Sequence, residues 1–251
     1  MTSVTVNTFR PRRKFTPLKP AGSTPEENNA PPLKGIAFDV DGTLCLPQQY
    51  MFSEMRAALG INKSVDILEH IRNLPTPEDR TTAAAKVKAI EQEAMVRQQP
   101  QPGLVELMDY LESRGMRRAL CTRNFEGPVT HLLQNHLPEH VFLPIITRDT
   151  PNLLPKPDPA GILHIAREWG LENRAESLIM VGDSIDDMTA GYGAGAATVL
   201  ILNAHNSHLK DHEYTDLWIE HLDDLIEILE QGFIGRGEND RDVDESKELG
   251  V

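Results

Sequence analysis

The sequence is poor in cysteine, in basic residues and in long apolar runs, and each shortage argues against a class of protein. With only two cysteines in 251 residues, Cys45 and Cys121, no disulfide framework holds the fold. No apolar run approaches the roughly 20 residues that a membrane-spanning helix needs. The 25 Lys and Arg residues face 38 Asp and Glu residues, a net charge of −13. This balance disfavours binding to nucleic acid and to anionic membranes, because both rest on clustered basic side chains.

The net charge is unevenly distributed along the chain. Residues 1–34 carry six basic and two acidic side chains, and residues 235–251 carry six acidic and three basic ones. These ends contribute +4 and −3, which leaves −14 on residues 35–234. The first segment also holds six prolines and little apolar periodicity. We therefore expect a disordered basic leader at residues 1–34 and a disordered acidic tail at residues 235–251.

The Arg-rich leader is also compatible with a mitochondrial transit peptide, which is typically basic and poor in acidic residues. The spacing of its prolines works against the amphipathic helix that such peptides form. A solvated leader is the favoured interpretation. We accordingly expect a cytoplasmic protein, or one shared with the nucleus, with mitochondrial import as the alternative.

Between the two ends, short apolar runs typical of buried strands alternate with helical patterns. The predicted strands span residues 36–40, 117–122, 141–146, 177–181 and 197–202. The predicted helices among them span residues 102–114, 158–169 and 222–229. Strands separated by helices predict an α/β fold built on a doubly wound parallel sheet.

The alternation breaks at residues 47–100, which hold no convincing strand. Helical patterns cover residues 51–59, 65–71 and 78–97. We expect a small all-helical cap here, inserted into a core formed by residues 35–46 and 101–234. Its position directly after the first strand places it over the carboxyl ends of the strands, where open α/β sheets bind ligands. The alternative is that it only adds packing to the core.

Acidic residues follow two of the predicted strands. Asp39 and Asp41 come at the end of the first strand, and Asp183 and Asp187 follow the fourth. Taken alone, the first pair is weak evidence because Asp at a strand end often belongs to a turn, and the second pair is more typical of a helix cap. Both loops, however, leave the same edge of a parallel sheet. Two carboxylates 4 Å apart repel by roughly 4 kcal/mol, so a hard cation such as Mg²⁺ would stabilise the group.

Two further loops at this edge carry groups that suit a phosphate. Thr122, Arg123 and Asn124 follow the second strand, at the start of a predicted helix whose N–H groups favour an anion. Lys156 lies between Pro155 and Pro157 and can neutralise a phosphoryl group. A lone threonine or lysine is more often structural, so the prediction depends on the convergence of these loops on one face.

At these residues the sequence resembles the haloacid dehalogenase-like (HAD) hydrolase superfamily. Four motifs occur in the family's order: DVDGTL at residues 39–44, Thr122, Lys156 and GDSIDD at residues 182–187. The resemblance extends over residues 35–202. It places the helical insertion where the family has its C1 cap, and the pattern is similar to the phosphoglycolate phosphatase-like branch.

The resemblance implies a phosphatase that hydrolyses a small phosphomonoester through an aspartyl-phosphate. Asp39 would be the nucleophile, and Asp41 would protonate the leaving oxygen and then activate water. Thr122 would hold the phosphoryl oxygens, and Lys156 would orient Asp39. The second Asp separates this chemistry from that of the family's dehalogenases, since a halide leaving group needs no proton.

The resemblance also implies a Mg²⁺ ion bound by Asp39, the Asp41 backbone carbonyl and Asp183, with Asp187 acting through water. Two alternatives stay open, a phosphomutase of the same superfamily and a catalytically silent binding protein on the same fold. The substrate is expected to be a small phosphorylated metabolite. Position alone makes Arg56 and Arg148 candidates for contacting it.

Overall fold

A six-stranded parallel sheet forms the centre of the computed structural model, which describes residues 12–19, 30–172 and 175–236. Its strands are β1 (Gly35–Phe38), β2 (Arg117–Cys121), β3 (Ile145–Ile146), β4 (Leu178–Gly182), β5 (Ala197–Ile201) and β6 (Leu217–Ile219). The strand order β3-β2-β1-β4-β5-β6 confirms the predicted doubly wound sheet. The chain reverses its direction of winding at β1, and ligands of open sheets bind beside this point.

Eight helices accompany the sheet among the described residues. They are α1 (Gln49–Leu59), α2 (Ile67–Arg72), α3 (Pro77–Met95), α4 (Leu104–Ser113), α5 (Glu126–His136), α6 (Ala160–Glu168), α7 (Ile185–Ala194) and α8 (Asp224–Gln231). None of these described helices is both long and apolar enough to cross a membrane.

Alternating side chains of the strands pack against helices on both faces of the sheet. Ile36 and Phe38 of β1 are fully buried in a cluster with Leu107 of α4 and Leu225 of α8. Ala37, between them, belongs to a second cluster on the opposite face, which includes residues of α6 and α7. Successive side chains of a strand point to opposite faces, so one short strand serves both layers.

Helices α1, α2 and α3 form a unit with an apolar cluster of its own, made of Met51, Met55, Ile67, Val87 and Ala94. The unit follows β1 and precedes α4 in the chain. The N-terminus of α3 is stabilised by Thr76, whose hydroxyl accepts a hydrogen bond from the Asp79 N–H, and by Pro77 at the first position. The predicted helical content of residues 47–100 is therefore present in the structure.

Part of the predicted disordered leader is wrong. The Phe15 side chain is only 3% exposed, and its ring lies 5.6 Å from that of Phe233. The Phe15 N–H donates to the Phe233 carbonyl, and the Leu18 N–H donates to Leu229 in α8. The few apolar residues of the leader are separated by prolines and form no periodic pattern. Their burial depends on α8 and Phe233, which lie more than 200 residues later in the chain. Residues 1–11 and 20–29 of the leader and residues 237–251 of the tail lie outside the described residues.

Two strands also differ from the prediction. β6 is not among the predicted strands, because its apolar run has only three residues, which is too short to indicate a buried strand. β3 covers only Ile145–Ile146 of the predicted residues 141–146. Pro144 lacks an N–H to donate to a neighbouring strand, and Val141 and Leu143 are exposed. Neither difference moves the edge at which the acidic loops meet.

Candidate active site

Asp39 lies at the centre of the sheet edge, immediately after β1. Its N–H donates to the Val181 carbonyl of β4, which extends the ladder by one residue beyond the strand. The side chain is 7% exposed, and its Oδ1 accepts a hydrogen bond of 2.7 Å from Lys156 Nζ. Burial is the main reason that the pKa of Asp39 is raised to about 7, and the charges of Asp187 and Asp41 add to this shift against the pull of Lys156.

Asp41 lies beside Asp39, in a tight turn that requires a glycine. The N–H groups of Thr43, Leu44 and Cys45 all donate to the Val40 carbonyl. Gly42 has a φ of 82°, and a Cβ on it would lie 2.2 Å from Asp183 Oδ2. Only glycine accepts both the backbone conformation and the close approach of that carboxylate. The turn thereby brings the loop after β1 against the loop after β4.

The Asp41 side chain has a fixed orientation. Asn124 Nδ2 donates to Asp41 Oδ2 at 2.8 Å, while Asn124 Oδ1 accepts from the Phe125 N–H at 2.8 Å. Burial raises the pKa of Asp41, and the hydrogen bond from Asn124 and the charge of Lys156 reduce the shift. A carboxyl group with a raised pKa is suited to carry a proton near neutral pH.

Lys156 joins the two acidic loops. Its ammonium group donates to Asp39 at 2.7 Å and to Asp187 Oδ1 at 2.5 Å, and the residue is 4% exposed. Burial alone would lower the pKa of Lys156, but the charges of Asp187 and Asp39 outweigh it and raise the pKa above its ordinary value. Lys156 therefore places a fixed positive charge next to Asp39, the candidate nucleophile.

Asp187 is held by the start of α7. Its Oδ2 accepts hydrogen bonds from the Ser184 N–H at 3.0 Å and from the Ser184 hydroxyl at 2.6 Å. The first of these bonds and the bond of 3.4 Å from the Asp187 N–H to the Ser184 hydroxyl form a capping box. The carboxylate is fully buried, and both its oxygens have partners. Asp187 thus caps α7 and also lines the candidate site, where its role stays a prediction.

Oxygen atoms of Asp39, Asp183 and Asp187 lie within 4.8 Å of one another, which suits a hard divalent cation. Burial raises the pKa of Asp183 well above its ordinary value, and the charges of Asp187 and Asp39 raise it further. A bound divalent cation would relieve this mutual repulsion. The residues therefore fit Mg²⁺ in both donor chemistry and spacing.

Two asparagines that the sequence reasoning missed support Asp183. Asn203 Nδ2 donates to Asp183 Oδ2 at 2.9 Å, and Asn206 Nδ2 donates to the Asp183 carbonyl at 2.7 Å. Both residues follow β5, which pairs with β4. The rule that residues just beyond neighbouring parallel strands converge would have identified Asn203 from the sequence.

The predicted phosphate-binding residues are all at the site, but they make different contacts. Thr122 is 4% exposed, and its hydroxyl accepts from the Asn124 N–H at 3.1 Å. The Arg123 guanidinium pairs with Asp66 of the helical unit and with Asp186 of α7. Burial would raise the pKa of Asp66, but the hydrogen bond from Arg123 holds it below its ordinary value. Phosphate binding by these residues stays a prediction.

Arg148 makes a second link between the sheet edge and the helices above it. Its two terminal nitrogens donate to the two oxygens of Glu91 in α3, at 2.7 and 2.5 Å. The two cysteines, Cys45 and Cys121, are buried and form no disulfide. Burial is the main cause that raises the pKa of the Cys121 thiol to about 12, so it is not a nucleophile at neutral pH.

These residues surround a cavity of about 350 Å³ between the sheet edge and helices α1–α3. Asp39, Asp41, Lys156 and Asp183 line it on the sheet side. Met51, Phe52, Met55, Ile67 and Val87 line it on the helical side. A mainly apolar wall facing a few convergent charged groups is typical of a site for a small molecule.

Comparison with known proteins agrees with the motifs. The model of the haloacid dehalogenase-like hydrolase family matches residues 33–195. An uncharacterized hydrolase of Saccharomyces cerevisiae is 43% identical over 203 residues, which cover 79% of this chain and 91% of that protein. Phosphoglycolate phosphatase 1 of Pseudomonas aeruginosa is 34% identical over 134 residues, or 52% of this chain and 47% of that enzyme.

The fold is also found among solved structures. A HAD hydrolase of family IA, variant 3, from Entamoeba histolytica aligns with a TM-score of 0.66 over 79% of this chain and 98% of its own. The two sequences are 21% identical, so this likeness concerns the fold alone.

Proposed function

The chain belongs to the haloacid dehalogenase-like hydrolases, and within that family we propose that it is a Mg²⁺-dependent phosphatase acting on a small phosphomonoester. One observation carries the proposal. Asp39 Oδ1 accepts a hydrogen bond of 2.7 Å from Lys156 and has the Asp183 and Asp187 carboxylates beside it, on the sheet side of the cavity. Relatives named phosphoglycolate phosphatase support phosphomonoesters as the substrate class.

In the first step, an oxygen of Asp39 attacks phosphorus and the bond from phosphorus to the leaving oxygen breaks. Asp41 gives its proton to that oxygen, so the product leaves as an alcohol. Positioned proton transfer contributes about 10²–10⁴-fold to the rate. The hydrogen bond from Asn124 aims Asp41, and burial raises the pKa of Asp41, which favours the protonated form that this step needs.

In the second step, water attacks the phosphorus of the aspartyl-phosphate, and Asp41 accepts its proton. The bond between phosphorus and Asp39 breaks, which restores the carboxylate and releases inorganic phosphate. Covalent catalysis of this kind divides one difficult displacement into two easier ones. Lys156 stays protonated throughout and stabilises the charge that collects on the phosphoryl oxygens.

Asp39, Asp183 and Asp187 are the side chains that would hold Mg²⁺. When bound, the ion would neutralise their charge and polarise the phosphoryl oxygens. We also propose that α1–α3 act as a cap that excludes water from the cavity. A cytoplasmic location remains a prediction.

Phosphate release tests the proposal. The purified chain should hydrolyse a generic phosphate ester with Mg²⁺ and stop when a chelator is added. Asp39→Asn should lose nearly all turnover, while Asp109→Asn, on the exposed side of α4 with 68% exposure, should keep it. Turnover by Asp39→Asn at the wild-type rate would contradict the proposal. An isomerised ester in place of free phosphate would identify a phosphomutase, and binding without turnover would identify a silent protein.

A further inference from the structure

Four cationic side chains line the cavity: Arg56, Arg123, Arg148 and Lys156. Three of them form ion pairs with carboxylates of the chain itself. Lys156 pairs with Asp39 and Asp187, and Arg148 pairs with Glu91. Arg123 pairs with Asp66 and Asp186. Their charges are already balanced within the protein. They are therefore poorly placed to select a substrate by an additional charge.

Arg56 is different from the other three. It lies in the last turn of α1, and within the described part of the chain it pairs with no carboxylate. Its Nη1 has a hydrogen bond of 3.4 Å to the Phe52 carbonyl, near the outer limit for such a bond. Its Nε is buried and, among the described residues, has no acceptor. A guanidinium has five N–H donors, and a buried donor without an acceptor is uncommon in native proteins.

The surroundings of Arg56 favour an anion supplied from outside. Phe52, Met55 and Ile67 line the same cavity, and a charge pair is stronger next to such apolar surface than in water. The planar fork of an arginine binds carboxylates and phosphates through two parallel hydrogen bonds. The reacting groups lie on the sheet side of the cavity and Arg56 on the helical side, so one small molecule can reach both.

We infer that Arg56 forms a second anion subsite, and that the substrate is a phosphomonoester with a further anionic group, a carboxylate or a second phosphate. This inference rests on the proposed phosphatase function and adds the class of its substrate. The phosphoryl group that reacts would lie at Asp39. The group that stays behind would pair with Arg56.

Matched pairs of esters test the inference on the full chain with Mg²⁺. For a carboxylate the pair is 2-phosphoglycolate and 2-hydroxyethyl phosphate. For a phosphate it is propane-1,3-diol bisphosphate and 3-hydroxypropyl phosphate. In at least one pair, the wild type should have a kcat/KM at least about tenfold higher for the ester with the second anion, the value expected of one charged hydrogen-bonded contact. The pair that shows this preference identifies the anion.

Arg56→Gln should reduce that preference to about one, mainly through a higher KM for the anionic ester. Arg56→Lys should give an intermediate ratio, because it keeps the charge and loses the fork. Arg97→Gln, an exposed arginine beyond α3 that does not line the cavity, should keep the wild-type ratio. Should Arg56→Gln not fold, the ratio in Arg56→Lys decides.

Two results would overturn the inference. One is a wild-type ratio near one in both pairs, and the other is a preference that both Arg56 variants retain in full, as expected if Arg56 only stabilises the C-terminus of α1. Both results leave the phosphatase proposal standing, because phosphate is still released. Release of phosphate from none of the four esters counts against the proposed function itself.

Discussion

Replacing Arg148 with methionine should leave Glu91 as an uncompensated buried charge between α3 and the sheet edge. In the wild type, Arg148 donates to both oxygens of Glu91, and the two side chains are 18% and 6% exposed. Removing one partner of a buried ion pair costs about 3–5 kcal/mol. The partial exposure of Arg148 places the expected loss near 3 kcal/mol, which lowers Tm by about 6–12 °C in a chain of this size.

The loss of stability in Arg148→Met should be larger at high pH than at low pH. Burial raises the pKa of Glu91, and Arg148 opposes that shift, so removing Arg148 raises the pKa further. A carboxyl group with a higher pKa in the folded than in the unfolded state destabilises the fold when it is ionised and ceases to do so below its unfolded pKa. The deficit of Arg148→Met relative to the wild type should therefore be full near about pH 8 and smaller near about pH 5.

Thermal unfolding followed by circular dichroism at both pH values provides the assay. Arg97→Met is the matched control, since its pair with Glu93 is exposed on both sides and worth at most about 0.5 kcal/mol. The double variant Arg148→Met with Glu91→Met should regain most of the stability, because no buried charge is left unpaired. The reasoning is refuted if Arg148→Met has the same Tm as Arg97→Met, or if its loss of stability relative to the wild type is the same at both pH values.

Three further predictions concern the site and the leader. Asp41→Asn should lose about 10²–10⁴-fold in kcat, measured as phosphate release, and a smaller loss would deny it the acid–base role. Gly42→Ala should lose most Mg²⁺-dependent turnover because its Cβ meets Asp183, whereas Gly60→Ala, with a similar φ and open space, should keep it. Phe15→Ala should destabilise the fold by about 3–5 kcal/mol in chemical denaturation, and no loss would show that the contact with Phe233 is unimportant.

The sequence predicts the sheet and the acidic centre well because local patterns encode both. Apolar runs mark the buried strands, and the edge at which their loops meet follows from the parallel arrangement alone. The parallel arrangement thus predicts that Asp39, Asp183 and Lys156 lie together, and in the structure all three line one cavity. The same reasoning explains why β6 is not predicted, since an apolar run of three residues is too short to indicate a buried strand.

Pairings between distant segments could not be read from the sequence. Arg123 was expected at a phosphate, yet its partners Asp66 and Asp186 are 57 and 63 residues away in the chain. Arg148 likewise meets Glu91 across 57 residues. Such contacts depend on how the helices lie over the sheet edge, and no periodicity or motif specifies that placement.

The central claim, a covalent bond between Asp39 and the phosphoryl group, has a direct test. The enzyme is mixed with substrate and Mg²⁺, quenched rapidly in acid, digested and mapped by mass spectrometry. The account predicts that the peptide containing Asp39 gains the mass of one phosphoryl group, and that Asp39→Asn shows no such gain. Rapid phosphate release with the phosphoryl group on another residue, or undiminished turnover by Asp39→Asn, would contradict it.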